Sequence, residues 1–381
     1  MQNFTFVNPT KIIFGKAVVA ELGPAAAAAG KKALLVYGGG SIKRNGVHDV
    51  LTGALRENGV EIVEHPGVKP NPVLSHVKAG IGKARSAGCD VVVAAGGGSV
   101  IDEAKSIAAG VKYGGDVWDF FCGKAEIREA LPLFTALTLP ATGSEMNSGC
   151  VVTNEATAQK FSAHGAALFP RVSALDPETT LTLPRAQVAN GAVDSIAHII
   201  EGYFTTTDRD AGVTDEIVHA LARSVVASTL RILKDPSDYG ARASMMWSAT
   251  LALNGLPTCG YGGMNFINHA IEHALSAIYD IAHGAGLAIV MPAGFRYHLE
   301  TSGPARLDKF GAAVFGTKDA EGTIKAFEDF FRKAGAPVRL SEAKIPAADI
   351  PKIAANAMGL IRMWGMKHEQ PEIERILSNA R

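Results

Sequence analysis

The chain has 381 residues, 47% of them hydrophobic and 19% charged, with 37 Lys plus Arg balanced by 37 Asp plus Glu. That composition belongs to a globular protein with room for two domains and a core that needs no disulfide or metal merely to fold. Zero net charge, with no basic stripe interleaved with aromatics, excludes nucleic acid and an anionic membrane as leading partners.

Cys89, Cys122, Cys150 and Cys259 show no CxxC spacing and read as buried thiols of a reducing compartment. The opening "MQNFTFVNPTKIIFGK" lacks a charged n-region followed by a long apolar core. No run reaches about 18 apolar residues. The expectation is a cytoplasmic protein without secretory signal or membrane span.

In chain order, "KALLVYGGGS" reads as a buried strand ending in glycines, and "GVHDVLTGALRENG" as a helix with a Gly stop. "VEIVEHPGV" is a strand, "SHVKAGIGKARSAGC" a helix, "DVVVAAGGGS" a strand and "VIDEAKSIAAGV" a helix. "LFTALTLPATGSE" is one more strand running into a turn. Continuous apolar strand runs separated by helices predict a doubly wound α/β domain around a parallel sheet. The character changes near "LDPETTLTLPRAQVANG". Beyond it "AQVANGAVDSIAHIIEGYF", "TDEIVHALARSVVASTLRILKD", "YGARASMMWSATLALNG" and "GTIKAFEDFFRKAG" all carry helical apolar spacing. The expected division is an α/β dinucleotide-binding domain over residues 1–180 and an all-helical metal- and substrate-binding domain over 181–381.

Three strand-to-helix turns are rich in glycine: Gly38-Gly39-Gly40-Ser41, Gly96-Gly97-Gly98-Ser99 and Thr142-Gly143-Ser144. A parallel sheet gathers such turns along its carboxyl edge, where helix N-termini favour a pyrophosphate. The GxGxxG pattern fails at both GGGS turns, and no GxxxxGK[ST] follows a strand. NAD readers usually place an acid near a strand end for the ribose 2′-OH. Here the strand "ALLVY" runs into Gly38, followed by Ser41, Lys43 and Arg44. A hydroxyl and two cations suit a 2′-phosphate, which tilts the expectation to NADP(H).

In "ANGAVDSIAHIIEGY", Asp194 and His198 stand four apart on one helical face. By itself such a pair is as readily a structural hydrogen-bonded pair. The stretch "NHAIEHALSAIYDIAHGAG" holds three of the chain's 11 histidines. His269 and His273 share a face; His283 lies fourteen residues beyond His269, about 21 Å along a straight helix. Either the three do not cooperate, or the helix ends between them. "YD" followed by "HGAG" favours a break with a glycine turn. An Asp and up to three histidines can then converge on one divalent transition metal.

"LPATGSE", "LDPETTLTLP", "ANGAVDSIAH" and "HAIEHALSAIYDIAHGAGLAIVMP" resemble the iron-containing (group III) alcohol dehydrogenase family, in its NADPH-dependent aldehyde reductase or butanol dehydrogenase branch. The resemblance runs from "FVNPTKIIFGK" to about Val338. It implies a dehydroquinate-synthase-like fold of two domains, with cofactor and metal in the cleft between them. It assigns Asp194, His198, His269 and His283 to a divalent ion, Fe²⁺ or Zn²⁺, and puts His273 near the nicotinamide. It makes Gly97, Gly98 and Ser99 the phosphate turn, with Asp102 beyond. Asn71, Thr138, Thr142 and Lys160 match further cofactor contacts. The family turn "PTTAGTGSE" is shortened here to "PATGSE". NAD-using members carry an Asp where Gly38 stands. The expected activity is hydride transfer between NADP(H) and an alcohol/aldehyde pair, with His273 and Asp102 as catalytic residues, a small aldehyde or alcohol as substrate, and a homodimer as the assembly. The alternatives are an NAD-dependent dehydroquinate synthase-like or glycerol dehydrogenase-like enzyme. The apolar segments "NGLPTCGYGGMNF" and "AIYDIAHGAG" lack the cations that a phosphorylated, carboxylated substrate demands.

Overall fold

The computed structural model describes residues 1–208 and 210–381. The chain divides into two compact units, one of Val7–Leu183 and one of Pro184–Arg381 together with Met1–Phe6. The division therefore falls three residues beyond the expected 180/181 limit, and the first six residues belong with the helices. They are tied there by the Gln2 amide, which donates to Gly260 O at 2.8 Å, and by Gln2 Nε2, which donates to Asp208 Oδ1 at 3.0 Å.

The Val7–Leu183 unit starts with β1 (Lys11–Phe14), α1 (Leu22–Ala27), β2 (Lys32–Tyr37), α2 (Ser41–Arg44), α3 (Val47–Glu57) and β3 (Glu61–Pro66). It continues with α4 (Leu74–Ala87), β4 (Val91–Gly97), α5 (Gly98–Lys112), α6 (Trp118–Phe121) and β5 (Leu133–Leu139). It closes with β6 (Gly149–Asn154), β7 (Gln159–His164) and β8 (Val172–Leu175). Among the described residues, six strands form one sheet in the order β1-β8-β5-β4-β2-β3, and every pair is parallel. On one face Leu35, Tyr37, Val93 and Ala95 pack with Leu22 of α1 and with Leu51 and Leu55 of α3. The intervening Leu34, Val36, Val92 and Ala94 are equally buried. Both faces are covered, which is why these strands read as unbroken apolar runs rather than alternating ones.

Two strands of this sheet are not legible in the sequence. β1 lies at the sheet edge and is partly exposed. β8 is four residues long and carries a serine in its interior. Ser173 is fully buried because its hydroxyl donates to Glu145 O at 2.6 Å and accepts from Thr135 Oγ1 at 2.7 Å. β6 and β7 form a separate antiparallel hairpin that the apolar pattern does not announce either.

The second unit holds α7 (Arg185–Thr205), α8 (Val213–Lys234), α9 (Tyr239–Ala252), α10 (Ile267–Tyr279), α11 (His283–Ser302), α12 (Ala305–Val314), α13 (Ala320–Ala334), α14 (Ile350–Met363) and α15 (Gln370–Ser378). Among the described residues it contains no strand, and no helix is long and apolar enough to cross a membrane. One buried ionic network ties three of its segments. Asp215 of α8 is fully buried and accepts from Arg306 Nη1 at 2.8 Å, Lys309 Nζ at 2.8 Å and Tyr261 OH at 2.7 Å. The Arg306 guanidinium stacks 3.6 Å from the centre of the Tyr203 ring. Burial alone would raise the Asp215 pKa, but hydrogen bonds from Lys309, Tyr261 and Arg306 outweigh it and hold the carboxyl below its usual range.

The stability supplied by ionised Asp215 is present above the unfolded carboxyl value, about 3.9, and is lost as pH falls through the lower folded value. Arg306→Ala leaves that buried charge with Lys309 and a phenol only. It is expected to cost about 3 kcal/mol in urea unfolding at neutral pH.

Candidate metal centre and cofactor turns

α7 carries Asp194 and His198 one turn apart, and Asp194 Oδ1 lies 3.4 Å from His198 Nδ1. α10 carries His269 and His273, also one turn apart. α10 then ends at Tyr279, and Asp280 takes the left-handed conformation (φ 51°, ψ 32°). Asp tolerates this better than most residues. α11 begins at His283, so the helix does break between His269 and His283. The break is made by Asp280, not by the glycines of "HGAG". Gly284 and Gly286 lie inside α11 and serve close packing. A Cβ on Gly284 would sit 2.1 Å from the Asn190 carbonyl oxygen of α7, and one on Gly286 would sit 2.7 Å from the Glu272 carboxylate.

This packing brings the four expected ligands together. The His198 and His269 rings stack with centroids 4.6 Å apart, and those of His269 and His283 are 5.4 Å apart. His283 Nε2 lies 3.5 Å from Asp194 Oδ1. Asp194, His198 and His269 are all buried. His273 stands to one side. Its nitrogen groups with Glu272 and His283 rather than with the Asp194–His198–His269 set, and its ring meets Trp364 edge-on at 5.9 Å.

Two carboxylates that the sequence patterns do not single out complete the centre. Glu201 of α7 bonds His269 Nδ1 and also accepts from the Asn268 amide. Glu272 of α10 bonds His283 Nδ1 and accepts from Ser276 Oγ. A carboxylate on Nδ1 fixes the tautomer and leaves Nε2 as the ligand atom. His269 Nε2 is buried with no hydrogen-bond partner among the described residues. Burial disfavours charge on that ring, yet the Glu201, Asp194 and Glu272 carboxylates outweigh it and raise the His269 pKa. Three imidazoles and a carboxylate around an unsatisfied nitrogen, in a pocket of buried anions, fit a divalent transition ion. A signal for Glu201 does exist: Asp194, His198 and Glu201 follow at i, i+4 and i+7, one continuous helical stripe.

Of the expected cofactor residues, those of the three glycine turns lie at the carboxyl ends of β2, β4 and β5, neighbouring strands of the sheet. β4 passes directly into α5, whose N-terminus carries no side-chain cap. Its first N–H groups are therefore open to an anion, and its 15 residues supply a full dipole. A Cβ on Gly98 would sit 2.3 Å from the Thr142 side chain, so the second and third glycine turns are packed against each other. Between β4 and β5 the register jumps from Gly96↔Leu137 to Gly97↔Leu139. Thr138 is the extra residue of that bulge. Ser99 Oγ donates to Pro70 O, and Lys160 Nζ donates to Asn71 Oδ1 at 3.1 Å. The "KPNP" loop, the start of α5 and β7 thus meet. At the first turn, Gly38 follows the end of β2, Gly39 and Gly40 face open space, and Ser41 is exposed at the start of the four-residue α2.

Asp102, expected to touch cofactor, has both carboxylate oxygens engaged within the fold. It accepts from Ser144 Oγ at 2.6 Å and from the Val151 amide at 3.1 Å. Burial raises its pKa. One turn on, fully buried Lys105 donates to Asn147 O, Asn147 Oδ1 and Gly149 O at 2.8–2.9 Å. Burial lowers the Lys105 pKa to about 8. Asp102 and Lys105 together clamp residues 144–151 onto α5, and so hold the turn that carries Thr142. Lys105 escapes a reading of the sequence because nothing in an apolar helix pattern marks where its side chain ends.

Replacing either carboxylate behind the imidazoles tests their role. Glu201→Gln and Glu272→Gln are each expected to weaken divalent-metal affinity about 10- to 100-fold with helical content unchanged, read by competition with a metal indicator and by circular dichroism.

The chain matches two family models in tandem. Residues 9–177 match the iron-containing alcohol dehydrogenase model, and residues 188–380 match the C-terminal model of the Fe-containing alcohol dehydrogenase family. It is 43% identical over 361 residues to a probable NADH-dependent butanol dehydrogenase 2 of Bacillus subtilis, covering 93% of this chain and 92% of that protein. It is 36% identical to the NADPH-dependent aldehyde reductase YqhD of Escherichia coli, covering 93% and 92%. The crystal structure of an NADH-dependent butanol dehydrogenase A from Thermotoga maritima superposes with a TM-score of 0.96 at 44% identity, over 100% of this chain and 99% of that one. With its ligand set converged and both tandem domains of that family matched, the chain belongs to the iron-containing alcohol dehydrogenases.

Proposed function

We propose that this oxidoreductase reduces small, uncharged primary aldehydes to alcohols, and runs the reverse reaction, with NADP(H) as hydride carrier and a single Fe²⁺ or Zn²⁺ ion. The observation that carries the reading is the Asp194–His198–His269–His283 set, its first three members buried, with its Glu201 and Glu272 supports. When bound, the ion supplies Lewis-acid polarisation of the carbonyl oxygen, and the nicotinamide supplies the hydride to the carbonyl carbon. The chain's own groups do the rest. The four ligands hold the ion, and the two glutamates fix the imidazole rings. Phe266, 5.5 Å from the His269 ring, and Trp364, beside His273, are apolar neighbours suited to a small uncharged substrate. His273 passes the proton that completes the hydroxyl group. A buried imidazole not counted among the ligands is chemically suited to that relay.

The cofactor preference rests on the first glycine turn. Gly38 stands where an acid would hold a ribose 2′-OH, and Ser41, Lys43 and Arg44 follow. One observation favours NADH as a second reading. Lys43 Nζ lies 3.6 Å from Glu64 Oε2 and over the Tyr37 ring, so an acid already stands beside the candidate phosphate cation. The relatives' names include both cofactors.

Steady-state kinetics on metal-loaded protein with an aldehyde panel separate these readings. The expected result is a higher kcat/KM with NADPH, and a drop of about tenfold or more for NADPH alone in Lys43→Ala. Preference for NADH with an unaffected Lys43→Ala overturns the cofactor assignment. Failure of every aldehyde with both cofactors overturns the function. His273→Ala is expected to lower kcat about 100-fold and to change the pH profile of kcat; full kcat across the pH range removes His273 from the proton path.

A further inference from the structure

A second group of metal-ligating side chains lies wholly within the α/β unit. His65 of β3, His76 of α4 and Glu103 of α5 converge although 11 and 27 residues separate them in sequence. His76 Nδ1 lies 2.6 Å and His65 Nε2 3.1 Å from the same oxygen, Glu103 Oε1. The two imidazoles stack, with centroids 4.2 Å apart and planes inclined by 28°. Glu103 has no exposed surface, and its second oxygen, Oε2, is buried with no hydrogen-bond partner among the described residues. A fully buried carboxylate demands compensation, and an oxygen left without a donor is costly. Gly80 of α4 keeps space at this point, since a Cβ there would come 2.9 Å from His65 Nε2.

We infer that His65, His76 and Glu103 form a second divalent-metal site, suited to Zn²⁺ and independent of the Asp194 centre. Two nitrogens and one carboxylate oxygen are a zinc-type donor set with one position left for water. Tetrahedral ligands at zinc distances stand about 3.3 Å apart. The His65–Glu103 gap is already close to that, and the His76–Glu103 gap must open by about 0.7 Å on the same basis. His76 can supply that movement, because its side chain is 28% exposed while the other two are buried. The same opening gives an ion and its water a path from solvent. A bound ion would staple β3, α4 and α5, and α5 is the helix that starts at the Gly97–Gly98 turn. Occupancy would therefore stiffen the cofactor turn without adding a reacting group.

The test is metal stoichiometry on the full chain. Protein loaded with Zn²⁺ and freed of excess is expected to hold two ions per chain by inductively coupled plasma mass spectrometry, and His76→Gln is expected to hold one while keeping aldehyde reductase activity. Asp194→Ala/His269→Ala, in which the first centre is dismantled, is expected still to take up one ion and to gain thermal stability on Zn²⁺ addition. Asp194→Ala/His269→Ala/His76→Gln is expected to lose both responses. One ion in the wild type, or an unchanged count in His76→Gln, overturns the second site. Should His76→Gln fail to fold, the Asp194→Ala/His269→Ala protein decides alone: no uptake and no stabilisation overturn it. Loss of aldehyde reduction in the wild type would count against the proposed function and leave this stoichiometry readable.

Discussion

Everything around the metal centre follows from how little freedom its imidazoles have. Glu201 and Glu272 grip His269 and His283 by Nδ1, and a neutral imidazole bonded there presents only Nε2 to its other side. Those carboxylates sit on α7 and α10, the helices that also carry Asp194, His198 and His269. Each support therefore reaches its ligand from a neighbouring helix, α7 to α10 and α10 to α11, and ties the three helices together at the centre. The close approach of α11 to α7 at Gly284, and to α10 at Gly286, is the packing counterpart of this arrangement. A side chain at either glycine would push His283 away from its partners. The centre thus depends on small residues at helix contacts as much as on the ligands themselves.

The α/β unit solves a related problem by different means. Its second and third glycine turns are pressed together by the absence of a Cβ at Gly98, and the bulge at Thr138 sets how β5 leaves the sheet. Asp102 and Lys105, buried one turn apart on α5, then fasten the following segment through side chain and backbone. A buried ion pair in direct contact would satisfy itself. These two instead direct their hydrogen bonds to the turn, which makes α5 the organiser of the edge on which a pyrophosphate would sit.

Much of this is legible in the sequence. Asp194/His198 and His269/His273 announce themselves because four residues is one helical turn, and His283 has to lie beyond a break because a straight helix is too long. The parallel sheet is legible in β2, β4 and β5 because fully covered strands are apolar almost throughout, while β3, the partly exposed edge strand, shows only its Ile62–Val63 pair. β8 is hidden by Ser173, which is buried only because tertiary partners satisfy its hydroxyl. The break falls at "YD", where the sequence suggests it, but its mechanism differs: glycines draw attention as turn formers, while Gly284 and Gly286 are there for helix contact. The His65–His76–Glu103 group has no signal at all, since its members come from a strand and two helices and meet only after the sheet has formed.

The first six residues lead the chain yet belong to the helical unit. The Gln2–Asp208 bond closes a span of 206 residues, and the whole α/β unit lies inside that loop. Closing so long a loop costs only slightly more than closing a shorter one, because the entropy grows with the logarithm of length. The timing is another matter. On the ribosome, Val7–Leu183 is complete before any helix of the second unit has emerged, so the leading segment waits with nothing to bind until Asp208, and after it Gly260, arrive. The strap across the helical unit therefore has to wait until more than half of the chain has been made.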